Sequence, residues 1–435
     1  MKNSKHLDLL LYLWYIIFFV SMVCCFRAVT SVSIGLILIT GLFKNKTDTG
    51  SWLNINLKSS FVAACFLFYL IQVTALLYKP EQHEALKNLQ LKSAIPLVPF
   101  ALCCSSFLNN RVRQKLMGYY IWILAAALFY CLLIAADKYY FMKAGSAVFL
   151  YHELVAPFRQ HAVQVSILLF TGLFFLLEKA KNGTWLHYRS VHIFMILYLT
   201  CCIILLSSKL VIIFSAGCFV YYAIHALITK QNSRLLILIS LFAGLAAIVI
   251  VLSTQNKVSS RFREIISGDT KLIHQQNFDP GIYFNGLQFR ELQVRFVKEI
   301  LTDRHAWLTG VSDDAQPLLD KKYTSTHMYL GDGITADHGY LGYNTHNQFL
   351  ESLLRSGIPG LLAFILICFT LFQMQIRRRN NELSFIVLIL IAYCFNESVF
   401  ETQYGITLFT FLPLFLYYGT EKRKTPNILN AGGRN

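Results

Sequence analysis

The chain has 435 residues, of which 55% are apolar and only 14% charged, and it carries a net charge of +16. A soluble globular protein carries roughly 25% charged residues. This chain therefore lacks the polar surface to cover itself in water, which excludes an ordinary cytosolic enzyme, a disordered protein and a secreted disulfide scaffold.

The remaining class is an all-α polytopic membrane protein. A bilayer core takes about 20 apolar residues per helix. Twelve runs approach that length, near 7–26, 27–43, 57–78, 93–108, 115–136, 162–177, 190–206, 209–228, 234–252, 359–376, 383–399 and 404–419. No small-residue cleavage site follows the first run and further spans do, so it reads as a retained span. The 11 cysteines all lie inside apolar runs. That placement argues against a disulfide framework or a thiolate metal site.

With the N-terminus inside and the spans alternating, every inside segment is basic. Examples are Lys44 and Lys46, Arg111 and Arg113, Lys179 and Lys181, and Arg377, Arg378 and Arg379. This pattern predicts both termini in the cytoplasm. It accounts for much of the positive charge without a nucleic-acid partner. The division expected is 1–252 for spans one to nine, 253–345 for a loop domain outside, and 346–435 for an interfacial helix and the last three spans. The loop domain is too long for a connector, and long loops usually carry function.

Within that loop, 286–303 has the spacing of an amphipathic helix, with Phe289, Leu292, Phe296 and Ile300 beside Val294, Val297 and Leu301. Arg290 falls in the apolar stripe, while Arg295 and Lys298 face solvent. A guanidinium on a buried face needs a partner. Pyrophosphate, gripped bidentately, is one. A nearby acid is the other.

The segment 344–361 reads NTHNQFLESLLRSGIPGL. Thr345 and Gln348 have capping-box spacing, so a helix is expected to start near His346 and to be interrupted by Ser356, Gly357 and Pro359. The electropositive N-terminus of that helix would favour a neutral imidazole and attract phosphate. His346 is then either a general base or a hydrogen-bonding residue of the interface. Arg159 and His161 open the sixth span, Lys209 sits at the outer turn before the eighth, and Glu397 and Glu401 flank the last outer turn. Ionisable groups at membrane depth are costly and are functional candidates, with snorkelling as the alternative. His327, His338 and His346 share the loop with Asp332 and Asp337 but lack metal-ligand spacing, so no metal is expected. The sequence has no phosphate-binding loop and no dinucleotide fingerprint.

This order of spans, Arg-bearing loop helix and HNQFLESLLRSGIPGLLAF resembles the O-antigen ligase/polymerase superfamily of bacterial envelope glycan assembly. The motif positions are His346, Asn347, Leu350, Gly357, Gly360 and Leu361, with Arg290, Arg295 and Gly310–Val311 matching a looser upstream element. Where many relatives have Ser-Arg, this chain has Ser208–Lys209. The resemblance implies about twelve transmembrane helices with a large, mainly helical periplasmic loop domain in the bacterial inner membrane. It implies a glycosyltransferase needing no cofactor and no metal. The donor would be an undecaprenyl-pyrophosphate-linked glycan and the acceptor a lipid A–core hydroxyl, or another repeat unit in a polymerase. His346 would be the base, with Arg290, Arg159, Lys209, His161 and Asn347 binding substrate and membrane lipid surrounding the polyprenyl tail. A lipid-linked glycan transporter is the alternative class, but the charges cluster at the outer boundary rather than the midplane.

Overall fold

The computed structural model describes residues 2–52, 60–76, 82–228, 270–282, 284–331, 338–378 and 380–418. The run at 234–252 and the residues Asp332 and Asp337 lie outside these. All regular structure among the described residues is helical. In chain order the helices are α1 (Lys2–Val23), α2 (Arg27–Thr49), α3 (Ser60–Leu76), α4 (Gln82–Lys92), α5 (Ala94–Cys103), α6 (Asn110–Tyr140), α7 (Tyr151–Val155), α8 (Ala162–Lys181), α9 (Arg189–Leu205) and α10 (Lys209–Ile228). After the loop come α11 (Gly286–Asp303), α12 (Ala315–Ser325), α13 (Gln348–Arg378), α14 (Asn381–Cys394) and α15 (Gln403–Tyr418).

Six of these, α1, α2, α6, α8, α10 and α13, are long and apolar enough to cross a membrane. α3, α9, α14 and α15 are apolar but shorter. α5, with prolines at 96 and 99, ends after 10 residues. Among the described residues the expected runs are thus unequal: six reach the length of a full span and the others are shorter. The outer faces carry exposed Leu9, Phe129, Leu133, Ile213, Leu362 and Phe369. A monomer in water rarely shows contiguous apolar faces of this kind; hydrocarbon accommodates them. The protein is a helical membrane protein. α6 has 31 residues, roughly 46 Å at 1.5 Å per residue, so its ends project beyond a hydrocarbon layer of about 30 Å.

α8 is the most deeply buried of the six long apolar helices. It is buried on all sides, from Ala162 through Leu177 with few exceptions, as a helix apolar all round must be. Its length of 20 residues spans about 30 Å, and its two ends differ in charge. The C-terminal end carries Lys179 and Lys181. Near it, Arg113 at the start of α6 pairs with the buried Glu382 of α14. Arg378, at the end of α13, stacks 4.4 Å from the Tyr417 ring. Arg113, Lys179, Lys181 and Arg378 therefore gather at one end of the bundle. His161 is the N-cap at the other end.

There the loop domain forms its own apolar core. Phe289, Leu292, Phe296 and Ile300 of α11 pack with Leu319 and Tyr323 of α12 and with Leu354 of α13. A capping box does occur, but at Asn285 and Gln288, starting α11. Two details of the expected stripe are corrected. Val294 is exposed. Arg295 is not a solvated surface group: it bonds Glu299 at 2.8 Å and the Ile273 and Gln275 carbonyls, tying that segment to α11.

α13 is broken where the sequence suggested, at Gly357, with φ 62° and ψ −162°. In an unbroken helix the Ile358 N–H would donate to the Leu354 carbonyl. Instead Ile358 donates to Trp307 O at 2.8 Å, and Leu354 O accepts from the Val311 N–H at 2.8 Å. The strap 307–311 thus satisfies both groups freed by the break. Pro359 lacks an N–H and suits the first turn of the second segment. The contact needs glycine on both sides. A Cβ at Gly310 would meet the backbone of Arg355 and Ser356, and one at Gly357 the backbone of Trp307 and Leu308.

Backbone in the region Gly357 occupies is essentially closed to other residues and costs about 1–3 kcal/mol. Gly357→Ala is therefore expected to lower the detergent melting temperature by several degrees. Gly217→Ala, where a Cβ meets nothing within 4 Å, should leave it unchanged or slightly raised. Equal melting temperatures for both variants would contradict the strap's role.

Candidate active site

A cavity of about 690 Å³ opens where the loop domain meets the bundle. That volume falls in the range of ligand sites, about 300–1,000 Å³. One wall comes from the bundle: Tyr151 and His152 of α7, His161, and Glu397 after α14. The other comes from the loop domain: Phe284, Arg290, Tyr340 and Tyr343, with His346 closing the floor.

His346 adopts a left-handed backbone, φ 46°. The helix does not begin there, as the spacing of Thr345 and Gln348 suggested. The cap is Asn347, two residues after Thr345: its side-chain oxygen accepts from the Phe349 and Leu350 N–H groups at 2.9 and 3.2 Å. Asn347 is thereby committed to the helix and does not line the cavity. His346 precedes the cap, its own N–H donating to the Asn344 side chain at 2.9 Å. A non-glycine residue held at positive φ costs of order 1–3 kcal/mol and persists only where its surroundings fix it.

The imidazole Nδ1 lies 3.2 Å from Glu397 Oε2. An ionised carboxylate can only accept, so Nδ1 carries a proton, and the tautomer this selects leaves Nε2 as the ring's proton acceptor. The Tyr343 and Phe289 rings stand edge-on to the imidazole, 5.5 and 5.8 Å away. The geometry that prepares this histidine is a carboxylate partner rather than the helix N-terminus. His161 Nε2 faces the second oxygen of Glu397 at 3.7 Å, and the His152 ring stacks edge-on to His161 at 4.5 Å.

Arg290 joins the two walls. Its Nη1 donates to Gly286 O at 2.7 Å and its Nη2 to Asn396 O at 3.1 Å, next to Glu397. The partners are thus backbone carbonyls, not a paired acid. Among the described residues its buried Nε–H has no acceptor, and a buried donor in that state calls for one. Burial pulls the guanidinium below its ordinary value, with Glu397 opposing; it stays charged. Burial also pushes the Glu397 carboxyl up. The His346 hydrogen bond and the charges of His346, His161 and Arg290 outweigh it and hold the group below the ordinary carboxylate range.

Of the residues expected at the site, His346, Arg290 and His161 therefore meet in one cavity, and Arg159 and Lys209 do not line it. Arg159 is exposed with φ 52°, and Lys209 opens α10. Glu397 was legible only as a carboxylate in an outer turn. Its pairing with His346, 51 residues away, and the convergence of Tyr151, Tyr340 and Tyr343 on one cavity had no local signal. Among the described residues no group of three or more His, Cys, Asp or Glu side chains is arranged to hold a metal. The sequence matches no family model and no curated protein.

Because Glu397 has a folded value below its unfolded one, its ionised form adds stability that is complete above the unfolded value and lost as pH falls through the folded one. The detergent melting temperature is therefore expected to decline as pH drops below about 4.3. Glu299, depressed by Lys322 and Arg295 against its burial, contributes to the same decline. Glu397→Gln should flatten the curve in part. An unchanged acid slope in that variant would contradict the ionised His346–Glu397 pairing.

Proposed function

We propose that the protein is a bacterial inner-membrane glycosyltransferase of the O-antigen ligase type. In this reading both termini are cytoplasmic, the span count is even and near twelve, and the cavity faces the periplasm. The orientation is supported by the gathering of basic residues at the end of the bundle opposite the cavity. The observation that carries the chemistry is the His346–Glu397 pair standing with Arg290 in one cavity at the bundle's end.

The acceptor hydroxyl gives its proton to His346 Nε2 and attacks the anomeric carbon of a glycan held on undecaprenyl pyrophosphate. The bond from that carbon to the pyrophosphate oxygen breaks, and the configuration inverts. Glu397 orients the imidazole and stabilises the imidazolium that forms, the role a carboxylate plays behind a catalytic histidine elsewhere. Arg290 meets the charge developing on the leaving pyrophosphate. In this geometry the cation role falls on Arg290 rather than on Arg159 or Lys209. The aromatic wall offers flat faces to sugar rings, and the polyprenyl tail lies along the lipid-facing bundle. The acceptor is a lipid A–core hydroxyl. A polymerase would use the same donor and the same base with a second repeat unit as acceptor, and a deletion strain separates the two. Loss of all long glycan from lipid A–core indicates a ligase; a single capped repeat indicates a polymerase.

A general base contributes typically 10²–10⁴-fold to rate. His346→Ala should remove nearly all transfer from a purified lipid-linked donor while expression and donor binding persist. His346→Asn, which hydrogen-bonds but accepts no proton at neutral pH, should be nearly as inactive. Arg290→Lys keeps the charge but loses the fork, and should impair turnover in a folded protein. Wild-type rates in His346→Ala would end the catalytic assignment and favour a transporter.

The orientation has its own check. A reporter active only outside the cytoplasm should be active when fused near Lys298 and silent when fused after Arg379. The reverse pair of results would put the cavity in the cytoplasm, where this donor chemistry does not belong.

A further inference from the structure

Behind the cavity, bonded to the residue that precedes His346, lies a second group of charges that the mechanism above does not use. Glu351, one turn into α13, is buried at 1% exposure. Its Oε1 takes the Arg355 Nε–H at 2.6 Å. Its Oε2 takes the Thr345 backbone N–H at 3.3 Å and faces the Thr345 hydroxyl at 2.8 Å. That hydroxyl has one proton and several neighbours. The shortest contact is to Glu351, so Thr345 donates there and accepts from Ser398 Oγ at 3.1 Å. Thr345 immediately precedes His346, and Ser398 immediately follows Glu397. One carboxylate therefore stands behind both members of the catalytic pair. Arg355 is itself held from the far side by Glu401 at 3.0 Å, and Glu401 by Lys92 at 3.1 Å.

We infer that Glu351 is a positioning residue for the proposed transfer, fixing the Thr345 and Ser398 backbones so that His346 and Glu397 are held in register. The left-handed conformation of His346 requires such fixing. Thr345, fully buried, is the anchor nearest to it. Both oxygens of Glu351 face donors. A glutamine of the same shape presents one acceptor and one donor, so it leaves a donor facing a donor on one side whichever way its amide turns. The inference rests on the proposed role of His346.

The test uses the full-length protein in detergent or nanodiscs with a purified lipid-linked donor. Misplacement of a catalytic group by about 1 Å costs up to 10²-fold in rate. Glu351→Gln is expected to lower kcat about tenfold to a hundredfold with KM for the donor little changed. In the His346→Ala background it should have no further effect, because a positioning residue has nothing left to position. A residue that merely stabilised the fold would lower active protein in either background. Thr345→Val keeps the side-chain shape and leaves the Arg355 pairs intact. It should lower kcat in the same direction by a smaller factor, and it decides the question if Glu351→Gln does not fold. Wild-type kcat in folded Glu351→Gln, or in Thr345→Val, would overturn the inference. If His346→Ala itself transfers glycan normally, it is the reading of the site that has failed. If His346→Ala is dead and Glu351→Gln is fully active, only the positioning role has failed.

Discussion

The site depends on the break in α13. A continuous helix from Gln348 to Arg378 would offer the loop domain no backbone group to bond. At Gly357 the helix gives up one internal hydrogen bond, and the strap 307–311 supplies the missing donor and acceptor. Because buried backbone groups must be paired, this exchange fixes where the loop domain sits. It also sets the direction of the segment 348–356, whose N-terminal approach carries His346 to the cavity, with Asn347 capping the helix and Thr345 buried behind. Glycine at 310 and 357 is what lets the two backbones approach.

Charge at this depth has to be arranged, since desolvation is costly unless each ion is paired and hydrogen-bonded. The cavity end of the bundle holds two such arrangements. In one, Lys92 and Arg355 meet Glu351 and Glu401, with Asp313 at 3.5 Å from Arg355. It is built of mutually satisfied ions and fixes the backbone behind the site. In the other, Glu397 is shared by two imidazoles, and Arg290 spends its terminal nitrogens on carbonyls while Nε stays unmet. The first arrangement holds the chain; the second has chemistry to spare. The opposite end, with the buried Arg113–Glu382 pair, resembles the first.

The sequence made the membrane class, the basic end and the kink at Gly357 legible, because hydropathy, Lys and Arg placement and Gly-Pro chemistry are local. His346 and Arg290 were legible for a mixed reason. The arginine stood in an apolar stripe, which is local, whereas the histidine was placed by a capping box that forms elsewhere, at Asn285. The His346–Glu397 and Thr345–Glu351 contacts depend on where α13 and the turn after α14 meet, which no spacing encodes. Arg159 and Lys209 show the limit in the other direction. Both stand at the ends of helical segments, but a helix end can face any side of a bundle, and these two do not line the cavity.

The central claim is that a diphosphate-linked sugar reacts between Arg290 and His346. The most direct measurement is an experimental structure of the protein in lipid nanodiscs with a non-reactive analogue of a polyprenyl diphosphate sugar. The account predicts the diphosphate within hydrogen-bonding distance of the Arg290 guanidinium, the anomeric carbon facing His346 Nε2, and the tail leaving the cavity toward the lipid. A diphosphate bound away from Arg290, with the cavity between the Tyr340 and His161 walls left free of the analogue, would contradict it.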